Sequence, residues 1–150
     1  MEYVYNYLKA YPIMLESDYV YSSRLSTCKY SSTKGKFKVT GFSMITKNSP
    51  SAHIAALQRG PISIAVAAGN SAFQFYRSGI LTSGCGTYMD HAVTMIGYGS
   101  LNGKDYWIIK NSWGPYWGEG GFARIARSSS SGSGVCGLLQ YSVQPTAISI

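Results

Sequence analysis

The strongest constraint on the fold is a pair of apolar segments that an Asn-Gly dipeptide connects. The segments are HAVTMIGYG at residues 91–99 and DYWIIKN at residues 105–111, and Asn102-Gly103 lies between them. Asn-Gly between two strand-like segments strongly predicts a hairpin, because both residues readily adopt the positive φ angles of a tight turn. A third segment of the same character, GGFARIAR, follows at residues 120–127. We therefore expect an antiparallel sheet in the second half of the chain.

The clearest predicted helix is SPSAHIAALQRGP, at residues 49–61. Either Ser49 or Ser51 can cap its N-terminus, and Gly60-Pro61 ends it. His53 lies on this helix, and we interpret it as an ordinary, partly exposed side chain.

Shorter elements complete the predicted fold. Residues 2–9 have the apolar spacing of a helix, residues 62–68 are typical of a buried strand, and residues 70–79 predict a short helix that ends at Gly79. The expected fold class is α+β, with a twisted antiparallel sheet or barrel and short peripheral helices. Neither a repeat nor a linker divides the 150 residues, so we expect one domain over 1–150.

The chain is basic, with 13 Lys and Arg against 6 Asp and Glu. Five lysines occur close together in the first third of the chain, namely Lys29, Lys34, Lys36, Lys38 and Lys47. A basic surface can attract polyanions, so a polyanion-binding module is one alternative function. The alternation in KGKFKV, residues 34–39, instead favours a solvated strand face, with the lysines outward and Phe37 and Val39 inward.

Other partners are excluded by missing patterns. The sequence has no recognition helix, zinc-ligand spacing or base-stacking motif, so we expect no nucleic-acid partner. Its apolar runs fall short of the roughly 20 residues of a membrane span, so we expect no membrane partner. The first ten residues include Glu2 and lack the long apolar core of a signal peptide.

A histidine and an asparagine lie where the predicted hairpin brings its ends together. His91 begins the first strand and Asn111 ends the second. The Asn carbonyl can accept a hydrogen bond from one ring nitrogen of His91, which fixes the tautomer and leaves the other nitrogen for a nucleophile. Trp113 follows at once, and its indole would shield that bond from water and strengthen it. The alternative is a core histidine with a satisfied hydrogen bond.

Several segments resemble the papain-like cysteine proteases of the cathepsin L kind. They are MDHAVTMIGYG at 89–99, YWIIKNSWGPYWGEGGFARI at 106–125, GVCGL at 134–138, GPISIAVAAGNSAFQFYRSGIL at 60–81 and ESDYVYSS at 16–23. The last has Val20 where the family usually has proline. The resemblance covers nearly the whole chain and implies the β-rich right lobe of that fold, with the helical left lobe absent.

The resemblance implies roles for five residues. His91 would be the general base and imidazolium partner, and Asn111 would orient it. Trp113 would shield this pair, and Trp117 would line the side of the cleft that holds residues after the scissile bond. Asp90 would hold neighbouring loop structure.

The resemblance also implies a substrate pocket and a disulfide. Ala65 and Met89 would line the pocket for the residue two before the scissile bond, and Tyr141 would close its floor. Cys85 would pair with Cys136. No cofactor or metal ion is implied.

The family's nucleophile is a cysteine in a C-G-S-C-W-like context, N-terminal to all of these segments, and the sequence contains no such motif. The upstream glutamine of the oxyanion hole is missing as well. The resemblance implies that Cys28 would form a disulfide with a cysteine of the left lobe and is therefore unpaired here. We therefore expect the 150-residue chain to be inactive by itself.

The predicted function is that of a cysteine-type endopeptidase, of which this lobe supplies His91 and Asn111. The alternative is a non-catalytic relative that acts as a binding or structural protein. The resemblance implies peptide or protein substrates, cystatin-type or propeptide inhibitors, and a lysosomal, vacuolar or secreted location.

Overall fold

The structure, a computed structural model, describes residues 1–149, with side chains as far as Thr146. The helices in this range are α1 (Glu2–Ala10), α2 (Pro50–Leu57) and α3 (Ser71–Gln74). The strands are β1 (Ile13–Met14), β2 (Gly35–Met44), β3 (Ile62–Val66), β4 (Ile80–Leu81), β5 (His91–Leu101), β6 (Lys104–Lys110), β7 (Phe122–Ala126) and β8 (Ser142–Ser149). The chain forms two compact units: Met1–Ser43 with the end from Pro145, and Met44–Gln144.

The first unit is thinly packed. Helix α1 has no buried residue, and the short strand β1 pairs antiparallel with β2. Rings pack on one another instead, with Tyr7 stacked on Tyr11 at 4.7 Å and both in edge contact with Tyr30. Cys28 is exposed in this unit and has no disulfide partner.

The predicted alternation in β2 is only half right. Val39 is buried and the lysines are exposed, but Phe37 is 41% exposed rather than inward. Its register partner is Ile13, which lies on a two-residue strand and is itself exposed. So short a partner strand leaves the Phe37 ring uncovered.

The second unit is built on a sheet in which β3, β5, β6, β7 and β4 neighbour one another in that order. The first three pairings are antiparallel, as predicted, whereas the two-residue strand β4 runs parallel to β7. Asn102 and Gly103 form the β5–β6 turn with φ values of 51° and 75°. The predicted hairpin is therefore present.

Alternation along the strands creates the core of the second unit. Ile62, Ile64 and Val66 of β3 are fully buried, as are Met95 of β5 and Ile109 of β6. Each side chain of this size contributes roughly 1.5–3 kcal/mol when it is removed from water. This core fixes the strand ends that carry the candidate site.

Helix α2 begins as predicted, because the Ser49 hydroxyl caps it by accepting from the Ala52 amide at 3.3 Å. The interpretation of His53 as partly exposed is wrong. Its ring is fully buried, with Nδ1 2.8 Å from the Ser49 carbonyl oxygen and Nε2 2.8 Å from the Ser142 hydroxyl. Both ring nitrogens are satisfied, which permits burial, and burial lowers the pKa of His53.

Helix α3 ends at Gln74, well before the predicted Gly79. The Asn70 side chain caps it by accepting from the Phe73 amide at 2.9 Å. Beyond Phe75 the chain turns so that the Tyr76 ring enters the core, and the Tyr76 hydroxyl donates to the Gly79 carbonyl at 2.6 Å. Burial of this ring competes with continuation of the helix.

Cys85 and Cys136 form the predicted disulfide, which joins positions 51 residues apart. In the chain-entropy model a loop of that length gives roughly 4 kcal/mol of stability. Within the described residues, no helix is long and apolar enough to cross a membrane. The same range holds no group of three or more His, Cys, Asp or Glu side chains suited to a metal ion.

Candidate active site

His91 and Asn111 meet at one edge of the second unit. His91 begins β5 and pairs with Val66 of β3. Asn111 follows β6, and its backbone N–H donates to the Gly121 carbonyl at 3.0 Å. The Nε2 atom of His91 lies 2.8 Å from Oδ1 of Asn111. Because an amide oxygen can only accept, Nε2 carries the proton and Nδ1 remains for another partner.

The Asn111 side chain is held in this orientation from a second direction. Its Oδ1 also accepts from the Ser112 amide at 2.8 Å. Its Nδ2 is buried and has no hydrogen-bond partner among the residues that the structure describes. The amide therefore presents its oxygen to His91 rather than its nitrogen.

Trp113 covers the histidine. Its ring stacks on the His91 ring with centroids 4.9 Å apart, and it remains 42% exposed. The Phe73 ring meets Trp113 edge-on at 5.6 Å and His91 at 6.4 Å. Sequence reasoning did not identify Phe73 as part of the site. The only sequence signal for it was its position in the short helix that Asn70 caps.

Trp117 supports this arrangement from below. It is almost fully buried, and its Nε1 donates to the Phe73 carbonyl at 3.1 Å. Its ring stands perpendicular to Trp113, with centroids 5.7 Å apart. The indole of Trp113 thus rests on two buried aromatic rings, which fixes its position over His91.

Asp90 binds the loop that follows β3. Its two carboxylate oxygens accept from the amides of Ala68 and Gly69, at 2.7 and 2.9 Å. Its own amide donates to the Val66 carbonyl at 3.1 Å. Any side chain at Gly69 would collide with the Asp90 carboxylate. These contacts tie Asp90 to the loop, and the role that the resemblance implies for it stays a prediction.

The segments that carry the predicted pocket residues are joined by hydrogen bonds, and the pocket itself stays a prediction. The Ala65 amide donates to the Tyr141 carbonyl at 3.0 Å, and Ala65 pairs with Ala92 in the β3–β5 ladder. Met89 is exposed at the end of a loop, where Gln140 donates to the Thr87 carbonyl at 2.9 Å. One backbone bond and one side-chain bond therefore connect residues 140 and 141 with two segments that are distant in the sequence.

A depression of about 360 Å³ opens beside Trp113, the residue whose ring covers His91. It is lined by Gln74, Phe75, Tyr76, Arg77, Trp113, Tyr116 and Trp117. Sequence reasoning identified only the two tryptophans. Phe75, Arg77 and Tyr116 lie within segments that resemble the papain-like proteases, but the resemblance implied no role for them.

The second unit offers His91 no thiolate partner. Its two cysteines, Cys85 and Cys136, are joined to each other.

Comparison with known proteins gives consistent results. The model of the papain family of cysteine proteases matches residues 1–146. Chymopapain of Carica papaya is 43% identical over 128 residues, and the senescence-specific cysteine protease SAG12 of Arabidopsis thaliana is 42% identical over 149 residues. These alignments cover 85% and 97% of this chain, but only 36% and 43% of the two relatives.

A solved structure shows the same fold. The bromelain protease of Ananas comosus, in complex with the E64 inhibitor, matches with a TM-score of 0.89 and 41% identity. The match covers 95% of this chain and 66% of the bromelain chain. The predicted fold class, a mostly β right lobe with a few short helices, is confirmed.

Proposed function

Since the chain belongs to the papain family of cysteine proteases, we propose that it supplies the histidine and asparagine of a cysteine endopeptidase. The observation that carries this proposal is the 2.8 Å contact of His91 Nε2 with Asn111 Oδ1 beneath the Trp113 ring. That contact leaves Nδ1 of His91 as the one ring atom able to exchange a proton with a nucleophile.

His91 then serves each step of peptide cleavage. Nδ1 takes the proton of a cysteine thiol, and the thiolate attacks the carbonyl carbon of the scissile bond. The Nδ1 proton passes to the leaving amine as the C–N bond breaks. A water molecule, deprotonated by His91, hydrolyses the thioester and returns the thiol. Asn111 and the face of the Trp113 ring stabilise the imidazolium in between.

The nucleophile and the oxyanion-hole glutamine belong, in this proposal, to a helical left lobe that pairs with the chain. The sequence contains no C-G-S-C-W-like segment, and Cys28 is an exposed thiol suited to a disulfide with that lobe. The chain alone is then inactive, and the two lobes together cleave peptide or protein substrates. Cystatin-type or propeptide inhibitors would bind the same cleft, and the enzyme would work in a vacuole, a lysosome or outside the cell.

Reconstitution tests this function. The chain is assayed on a dipeptidyl fluorogenic substrate alone and after co-expression with the left lobe of the pineapple bromelain. We expect hydrolysis and epoxide labelling only in the combination, and a loss of about 10³-fold or more in kcat for His91→Ala. Epoxide labelling of Cys28 in the chain alone would contradict the assignment of that residue.

A non-catalytic relative that acts as a binding or structural protein is the second candidate, because the second unit supplies no thiolate of its own. The contact of His91 with Asn111 beneath Trp113 favours the enzyme. The left lobe of such a relative carries another residue, such as serine, at the nucleophile position. The reconstituted protein would then still be active, because bromelain supplies the cysteine. The sequence of the native partner lobe decides between the two candidates.

A further inference from the structure

We propose that the depression lined by Phe75, Arg77 and Tyr116 selects an aromatic residue next to an acidic one in the part of the substrate after the scissile bond. This inference rests on the proposed peptidase function, of which it specifies the substrate class. The resemblance implies no role for these three residues.

The strand order, together with the pocket predicted on the β3 side, indicates which part of a substrate reaches the depression. β5, which begins at His91, has β3 on one side and β6 on the other. Ala65 and the backbone of Tyr141 meet on the β3 side, where the residues before the scissile bond are expected. Trp113 follows β6, so a peptide that crosses His91 continues over the Trp113 side after the bond that is cut.

The walls of the depression are exposed rings and its floor is rigid. Phe75 is 72% exposed and Tyr116 is 92% exposed, so both retain apolar surface that a ligand can cover. Beneath them, Tyr76 and Trp117 are buried, with ring centroids 5.5 Å apart. Hydrogen bonds to the carbonyls of Gly79 and Phe73 fix these two floor residues. An aromatic side chain can therefore pack here with little rearrangement.

One unneutralised cation faces this apolar surface. The Arg77 side chain has no hydrogen-bond or ion-pair partner among the residues that the structure describes. Nearby, Arg124 is paired with Glu119 at 2.6 Å, which lowers the pKa of that carboxyl, so Glu119 is ionised and already neutralised. The planar guanidinium of Arg77 is therefore available for a ligand carboxylate, which it can bind through two parallel hydrogen bonds.

Binding to the 150-residue chain tests this directly. Four tetrapeptides that represent the leaving side carry Phe-Asp, Phe-Asn, Ala-Asp or Phe-Lys at their centre, with both ends blocked. Quenching of tryptophan fluorescence reports binding, because Trp113 and Trp117 line the depression. We expect the Phe-Asp peptide to bind about tenfold more tightly than Phe-Asn or Ala-Asp, and Phe-Lys to bind most weakly.

Substitutions separate the cationic part of the site, Arg77, from its aromatic part, which includes Tyr116. Arg77→Gln should abolish the preference for Asp over Asn while the preference for Phe over Ala remains, and Tyr116→Gly should do the reverse. Both side chains are exposed, so neither variant removes a core contact. Lys104→Gln removes one exposed positive charge at the hairpin turn and is the matched control, for which all four affinities should stay unchanged.

The same peptides, extended across a cleavable bond, distinguish this inference from the proposed function. Cleavage by the reconstituted enzyme with equal kcat/KM for Asp and Asn would overturn the inference and leave the function intact. Preferential binding of Phe-Asp without any cleavage would leave the inference intact and refute the function. Equal binding of all four peptides by the chain would also overturn the inference. So would an equal loss of the preference for Asp over Asn in the Arg77→Gln and Lys104→Gln variants.

Discussion

The two compact units of the chain treat their apolar side chains in opposite ways. In the second unit, strand residues such as Ile62, Ile64 and Met95 are fully buried in a shared core. In the first unit α1 buries nothing, and Tyr21 and Leu25 are almost entirely exposed. The second unit buries its apolar side chains as an independent domain does. The first unit leaves large apolar side chains exposed, which is typical of a surface that binds another segment.

This difference separates stability from assembly. The second unit contains every residue of the candidate site, and backbone ladders and a disulfide hold it together. The first unit contains the free thiol and the exposed rings. We expect changes in the second unit to alter the free energy of unfolding, and changes in the first to alter association with a partner lobe.

The disulfide is the largest test of this contrast. Replacing both Cys85 and Cys136 by Ser should lower the free energy of unfolding by about 4 kcal/mol, because the unfolded chain regains the entropy of a long loop. Cys28→Ser, which removes the free thiol of the first unit, is the matched control and should leave it unchanged. Urea denaturation monitored by tryptophan fluorescence measures both. Equal losses would refute the division into a stabilising and an assembling unit.

Truncation of single apolar side chains should show the same asymmetry. Ile64→Ala creates a cavity in the core of the second unit and should cost about 2–5 kcal/mol. Leu25→Ala removes an exposed side chain and should change stability by less than about 0.5 kcal/mol. A large loss for Leu25→Ala in denaturant unfolding would show that the first unit has a core of its own.

Tyr141, the predicted floor of the pocket, lies in the second unit, so we expect changes there to alter substrate specificity as well as stability. We expect the Tyr141 ring to leave room for Leu or Val but not for Phe two residues before the scissile bond, a discrimination of roughly 10- to 200-fold. No acidic floor residue is predicted, so Arg should be accepted poorly. Comparing kcat/KM for Leu, Phe and Arg substrates of the reconstituted enzyme, before and after Tyr141→Ala, measures this. An unchanged ranking would place the Tyr141 ring outside the pocket.

Acid should weaken the second unit through His53. Burial lowers the pKa of this histidine below its usual 6.5, so between those two values the unfolded chain binds a proton that the folded chain does not. The stability is complete above about pH 6.5 and falls as the pH drops through the folded pKa. His53→Gln cannot titrate, so its unfolding midpoint should depend less on pH in this range. Parallel slopes for both proteins would contradict the buried neutral state.

Local chemistry explains what could be predicted. Asn102-Gly103 specifies the hairpin within two residues, and the hairpin brings His91 and Asn111 together. The burial of His53 depends on Ser142, which lies 89 residues away, and no local pattern carries that information.

Two other features escaped prediction for the same reason. Phe37 alternates as an inward residue should, yet the length of β1 decides whether its ring is covered. The depression forms where the end of α3 meets the turn that carries Tyr116, and its cationic side depends on which arginines find carboxylates elsewhere. Tertiary contacts, rather than spacing, determine such sites.

The disulfide makes the candidate site sensitive to the oxidation state of two distant cysteines. The Asn70 side chain, which caps the helix bearing Phe73, donates to the Cys85 carbonyl at 3.0 Å, and the Ala67 amide donates to the Cys136 carbonyl at 2.8 Å. Both cysteines therefore anchor the segment that supports Trp113 over His91. Reduction of the bond would release that anchor, so the order of the candidate site depends on an oxidised Cys85–Cys136 pair. Redox conditions would thus set the rigidity of a site whose own residues, His91 and Asn111, carry no sulfur.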